Sequence, residues 1–279
     1  MRARVSLRQG GFTLIEAIMV ITITGILAAI VAVFIRAPVD GYIDSVARAE
    51  LTDAADTALR RIARDVRVAL PNSLRTTTGG STACFEFLPT VGGGRYRVSQ
   101  SDTGVGDILD FSAADTSFQV LAGNNLPPPG GYATQHHVVI YNLGIAGADA
   151  YDVTGRNRAA IATTSAASPI TLAAANQFPF ASPGNRFHVI PNFSVAYSCA
   201  GGQLLRSTQA IAAGAMTACP TGGTVLVGNV NCANSAFTYT PAASQRNGVL
   251  TMALELPQAG ANGAETIRLY QQVHVDNTP

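Results

Sequence analysis

Residues 10–35 read Gly10-Gly11-Phe12-Thr13-Leu14-Ile15-Glu16-Ala17-Ile18-Met19-Val20-Ile21-Thr22-Ile23-Thr24-Gly25-Ile26-Leu27-Ala28-Ala29-Ile30-Val31-Ala32-Val33-Phe34-Ile35. From Phe12 to Ile35, about 24 residues carry a single charge, that of Glu16. As a helix rising 1.5 Å per residue the run would be roughly 36 Å long, enough to cross the hydrocarbon core of a bilayer. Arg2, Arg4 and Arg8 precede it and Arg36 follows. Arginines ahead of an apolar span predict a membrane segment with a cytoplasmic N-terminus.

An ordinary secretory signal has a shorter apolar core, with its small-residue cleavage site after that core. Here the run is longer, and the small residues Gly10 and Gly11 come before it. A carboxylate at Glu16, just inside the span, costs about 2.5–3.5 kcal/mol even on insertion scales, which marks it as functional.

Gly11-Phe12-Thr13-Leu14-Ile15-Glu16 resembles the class III signal of type IV pilins and type II secretion pseudopilins. The resemblance implies cleavage between Gly11 and Phe12 by a prepilin peptidase, N-methylation of Phe12, and Glu16 as an assembly residue at the fifth mature position. Such cleavage would leave an α-amino group at Phe12, and in a stack of such spans the amine of one copy can meet Glu16 of the next. A misplaced copy would leave both charges buried and unpaired, so the pair would specify register. It also implies other pilins as partners through the N-terminal helix, an inner-membrane assembly platform, and a lipid bilayer as host before assembly.

Beyond the span, Pro38 and Gly41 predict a kink or short break, since proline lacks a backbone donor. Helical periodicity then resumes. Ile43, Val46, Leu51, Ala55, Leu59, Ile62, Val66 and Leu70 fall on one face. Acidic residues lie early and Arg60, Arg61, Arg64 and Arg67 late, which suits the helix dipole. Asp44–Arg48 and Asp56–Arg60 are spaced as i,i+4 pairs. The arginines read as a solvated face, and the helix is expected to end near Leu70, before Pro71.

From about residue 82 the pattern alternates. Strands are expected at 84–88, 95–98, 108–111, 118–121, 138–141, 187–190, 193–199, 203–206, 225–227, 237–240, 249–256 and 266–275. Gly92-Gly93-Gly94 reads as a turn, and no helix or Lys follows to make it a phosphate loop. Residues 144–184, rich in Ala, Gly, Thr and Ser, read as surface loops with at most short strands, and as the best place for any ligand outside a filament.

The organisation expected is a cleaved leader at 1–11, a membrane and assembly half-helix at 12–36, an amphipathic half-helix at 37–71, and a β-rich domain at 72–279 with its loop-rich insertion near 144–184. The fold class is α+β, a long N-terminal helix with an antiparallel sheet. Runs such as Arg64-Asp65-Val66-Arg67, Phe85-Glu86-Phe87-Leu88-Pro89, Tyr197-Ser198-Cys199 and Leu204-Leu205-Arg206 resemble the MshO-type minor pilins of MSHA pili. They are more distantly similar to the J-type minor pseudopilins of type II secretion. The resemblance implies a helix packed on the sheet and a place in an initiating or tip complex of a pilus, followed by cell adhesion through the filament. The alternatives it leaves are a secretion pseudopilin and a pilus-tip adhesin or other binding module.

Composition narrows the rest. A formal net charge of +1, with 13% charged residues, gives no clustered basic footprint for nucleic acid. His136 and His137 are adjacent, so on a strand they point to opposite faces and cannot share a metal. No catalytic constellation, cofactor motif or metal-ligand spacing is present, and an enzyme is not expected. Cys84, Cys199, Cys219 and Cys232 allow three full disulfide connectivities. The last three fall close together, and the expected bridge is Cys199–Cys219, closing the hairpin extension, with Cys219–Cys232 as the alternative short loop, either contributing roughly 3 kcal/mol. Cys84 is left free or paired with the remaining cysteine.

Overall fold

The computed structural model describes residues 11–77, 83–126, 131–132, 135–241, 247–260 and 263–279. The leader at residues 1–10, with Arg2, Arg4 and Arg8, lies outside them. One helix, α1 (Leu14–Arg67), opens the chain. Among the described residues fifteen strands follow: β1 (Arg75–Thr76), β2 (Cys84–Phe87), β3 (Gly92–Tyr96), β4 (Asp115–Phe118), β5 (Val120–Asn124), β6 (His137–Ile140), β7 (Arg158–Ala160), β8 (Ile170–Asn176), β9 (Arg186–Ile190), β10 (Ser194–Ala200), β11 (Gln203–Gln209), β12 (Thr224–Gly228), β13 (Ala236–Thr240), β14 (Asn247–Gly260) and β15 (Gly263–Asp276). This is the expected α+β, pilin-like architecture.

The chain divides into two compact units. The first takes the helix as far as Glu50 together with Gln258–Glu265, the end of the last hairpin. The second takes Leu51–Pro257 and Thr266–Pro279.

In the second unit, one sheet runs β1-β2-β10-β11-β12 and another β13-β14-β15. Their side chains meet the helix in a common core. Ala55, Leu59, Ile62 and Val66 recur every three or four residues, so they share one helix face. That face packs against Phe85, Phe87, Tyr197 and Leu204 of the first sheet and Phe237, Met252 and Val273 of the second. The aromatic side chains interlock, with Phe85 stacked on Tyr197 at 5.3 Å and set edge-on to Phe237 at 5.2 Å. The helix ends at Arg67. Val68 and Ala69 then form a turn, Ala69 bridges Pro89, and Leu70 N–H donates to Leu88 O at 2.7 Å.

A third sheet, β5-β3-β9-β6-β7, and the pair β4-β8 enclose a second core around Tyr96, Phe118, Phe178 and Phe187. A smaller cluster of Leu70, Leu88, Val139, Tyr151 and Ile190 joins the end of the helix to this sheet.

Several expectations need correction. The helix continues through Pro38 without the short break expected there; proline's missing N–H removes one hydrogen bond, and the flanking bonds carry the helix on. Gly92-Gly93-Gly94 is not a turn but part of β3, which is paired on both sides, with β5 and with β9. The neighbours explain the glycines. A Cβ on Gly94 would collide with the carbonyl oxygen of Ala122, and one on Gly93 would stand 2.8 Å from that of Phe187. Residues 108–111 form no strand.

The stretch 144–184 is loop-rich but not superficial. It contributes β7 and β8, and Ala148, Ala150, Tyr151, Ile161, Ile170, Leu172 and Phe178 are buried. Small alanines can be buried without leaving an alternating apolar pattern, so no period betrays them.

The disulfides also differ from expectation. Cys84 pairs with Cys219, and Cys199 pairs with Cys232, so neither Cys199–Cys219 nor Cys219–Cys232 forms. The sheet decides this. Ser198 stands opposite Cys84 across β10 and β2, so Cys199, one residue on, points its side chain to the other face. Cys84 and Cys199 therefore draw their partners from different sides, 135 and 33 residues away in sequence.

Candidate assembly site at the start of the helix

The first turn of α1 is built by Thr13. The helix begins at Leu14, and the Glu16 N–H donates to Thr13 Oγ1 at 3.3 Å and to the Thr13 carbonyl at 3.1 Å. Ala17 N–H also donates to that carbonyl, at 3.1 Å. Thr13 is thus the N-cap and Glu16 the third helical residue, the Thr-x-x-Glu spacing of a capping box. In the sequence Thr13 stands three residues before Glu16, and the helix start at Leu14 makes it the cap. A carboxylate in the first turn also sits at the positive end of the helix dipole. Gly11 and Phe12 precede the cap and are exposed, so the Gly11–Phe12 peptide lies clear of the regular helix.

Beyond the cap the helix is bare. Phe12 is 81% exposed and Leu14 82%, and large apolar side chains remain open to Phe34 at 76% and Ile35 at 56%. An apolar surface of this length on a folded chain requires a partner or a lipid. Thr22 and Thr24 do not disturb it, because each hydroxyl bonds back to carbonyls of the preceding turn, Thr22 to Ile18 and Met19 and Thr24 to Val20 and Ile21. Nothing lies within 4 Å of where a Cβ on Gly25 would stand.

Further along the same unit, Arg48 pairs with Glu265 at 2.5 Å and Gln258 Nε2 donates to the Asp44 carbonyl at 3.2 Å. Arg48 therefore also ties the helix to the hairpin. The other helical pair, Asp56–Arg60, forms at 2.7 Å. Arg60, Arg61, Arg64 and Arg67 are exposed, as a solvated face requires.

Among the described residues no group of three or more His, Cys, Asp or Glu side chains is placed to hold a metal. His137 and His188 are held neutral, their pKa values lowered to about 4 by burial and then by Arg158 and Arg186 respectively. Glu86 is buried and paired with Arg75 at 3.3 Å, and the Arg75 guanidinium stacks 3.5 Å from the centre of the Tyr151 ring.

A long N-terminal helix with an exposed apolar first half, followed by antiparallel sheets, is a type IV pilin-like architecture and fits a membrane-anchored protein. The family model described as the prokaryotic N-terminal methylation motif matches residues 6–32. That motif supports a type IV pilin- or pseudopilin-like N-terminus. No curated protein and no solved structure matches the chain.

Proposed function

We propose that the protein is a minor pilin, a structural subunit of an MSHA-like type IV pilus with its place in the initiating or tip complex. The observation that carries this reading is the exposed Gly11-Phe12 junction ahead of a helix whose first half, to Ile35, is apolar and exposed and whose first turn holds Glu16. Cleavage after Gly11 frees the amine of Phe12, which is then methylated. Before assembly the span rests in the inner membrane, N-terminus in the cytoplasm and β-domain in the periplasm. On assembly it leaves lipid for the helices of neighbouring pilins, and Glu16 takes the N-terminal amine of the adjacent subunit as its counter-charge. The choice of pilus over secretion system rests on the resemblance of the body motifs to MSHA-type minor pilins. Antibody labelling of intact filaments tests it: signal confined to filament ends is expected, whereas no label on any surface filament contradicts it and favours a secretion pseudopilin.

A further inference from the structure

The face of the third sheet that carries Gly93 is open and forms a groove of about 510 Å³. Pockets that hold small ligands range over about 300–1,000 Å³. Its floor is Gly93 with Ala122, its wall is Val68 and Val91, and Arg95 and Arg186 stand over it. Three observations say what it would take.

First, Arg95 and Arg186 are directly opposite each other on β3 and β9. Like charges at such a position, with Cβ atoms about 4.5–5.5 Å apart, repel each other. Both side chains are exposed, neither forms an ion pair among the described residues, and no carboxylate lines the groove. Two adjacent guanidinium forks without a counter-charge suit a planar or multidentate anion. Second, His188 lines the groove with its Nε2 buried and without a hydrogen-bond partner. Burial keeps this imidazole neutral, so it adds no charge to that of the two arginines. Third, the floor is flat and cannot extend as a sheet. β3 already pairs along both edges, so its backbone has no groups left for an added peptide strand. The Cβ of any residue replacing Gly93 would meet the Phe187 carbonyl at 2.8 Å, so the floor stays bare. A bare peptide surface with valine methyls beside it accepts the C–H face of a ring.

We infer that this groove binds an acidic saccharide: a pyranose ring lies on the glycine floor against Val68 and Val91, and its carboxylate or sulfate is held between Arg95 and Arg186. A nucleic acid fits less well, because it needs a wider basic footprint and exposed aromatic platforms for its bases. The inference is independent of the place of the protein in a filament.

The test uses the full chain in detergent micelles and fluorescently labelled oligogalacturonate. A heparin-derived hexasaccharide, maltohexaose and a dT oligonucleotide serve as competitors. Oligogalacturonate, the sulfated hexasaccharide or both are expected to bind at least tenfold more tightly than maltohexaose, and their ranking separates carboxylate from sulfate recognition. Arg95→Ala with Arg186→Ala should weaken binding tenfold or more without lowering the melting temperature, since a repulsive pair is removed. Ala122→Trp keeps both arginines and covers the floor, and it should also abolish binding. Retained binding by Ala122→Trp would mean attraction to surface charge alone and would overturn the inference. So would equal binding of maltohexaose, or dT binding as tight as that of the acidic saccharides.

Discussion

Tyr197 donates its hydroxyl proton to Asp65 Oδ2 across 2.6 Å, tying the last turns of the helix to the centre of the first sheet. Arg206 Nε donates to the same oxygen at 2.9 Å, so one carboxylate gathers β10 and β11 onto the helix. Burial, followed by the bond to Asp65, holds the Tyr197 phenol well above its ordinary range. Because Tyr197 is fully buried, removal of its partner leaves a hydroxyl that water cannot reach. Asp65→Ala should therefore destabilise the protein by about 2 kcal/mol and Tyr197→Phe by about 1 kcal/mol. In a double-mutant cycle read by denaturant unfolding, the two effects should fail to add, because they remove the same bond.

The disulfides predict a ranking. By loop-closure entropy, Cys84–Cys219, with its 135-residue separation, is worth about 5 kcal/mol and Cys199–Cys232, with 33, about 4 kcal/mol. Replacing Cys84 and Cys219 by Ser should cost more than replacing Cys199 and Cys232. Non-reducing peptide mapping should recover these two cross-linked pairs, and recovery of Cys199 bound to Cys219 would contradict the structure.

Acid sensitivity should begin well above the carboxylate range. His137 and His188 titrate near 4 in the folded chain but near 6.5 when unfolded. Between those values the unfolded state binds more protons, so the stability present above pH 6.5 is lost as pH falls. Melting temperature should drop from pH 6.5 to 5, before most carboxylates titrate. His188→Gln should flatten that slope, and an unchanged slope would show that His188 is not held neutral in the native state.

The parts of this molecule that a sequence displays are those fixed by local pattern. The span from Phe12 is readable because a long uncharged run has few other meanings, and Ala55, Leu59, Ile62 and Val66 because helical spacing puts them on one face. The hairpin at Gly201-Gly202 is likewise local: Cys199 stands opposite Leu204, and Ala200 opposite Gln203. What stayed hidden depends on distant chain. Gly92-Gly93-Gly94 has the composition of a turn, and only the carbonyls of Ala122 and Phe187 reveal why a central strand needs glycine there. The partner of Cys84 is set by strand order, which no spacing encodes. At the assembly site, Gly11, Phe12 and Glu16 were legible as a motif, whereas the cap by Thr13 needed the helix start at Leu14.

That account of the glycines predicts its own mutant. Gly94→Ala places a methyl against the Ala122 carbonyl and 3.0 Å from the Phe187 ring, so backbone in β5 must move. A loss of about 1–3 kcal/mol is expected. Gly25→Ala, with nothing within 4 Å, should leave unfolding unchanged and serves as the control.

Glu16 stands in the first turn, capped by Thr13, and is the single charge in an exposed apolar span from Phe12 to Ile35. Glu16→Ala should still be inserted and cleaved after Gly11, since neither step needs the carboxylate. The decisive measurement is the amount of Glu16→Ala protein in sheared, purified filaments, relative to wild type at equal membrane abundance. The predicted result is processed protein in the membrane and essentially none in the filament. Incorporation at the wild-type level would contradict the role assigned to Glu16.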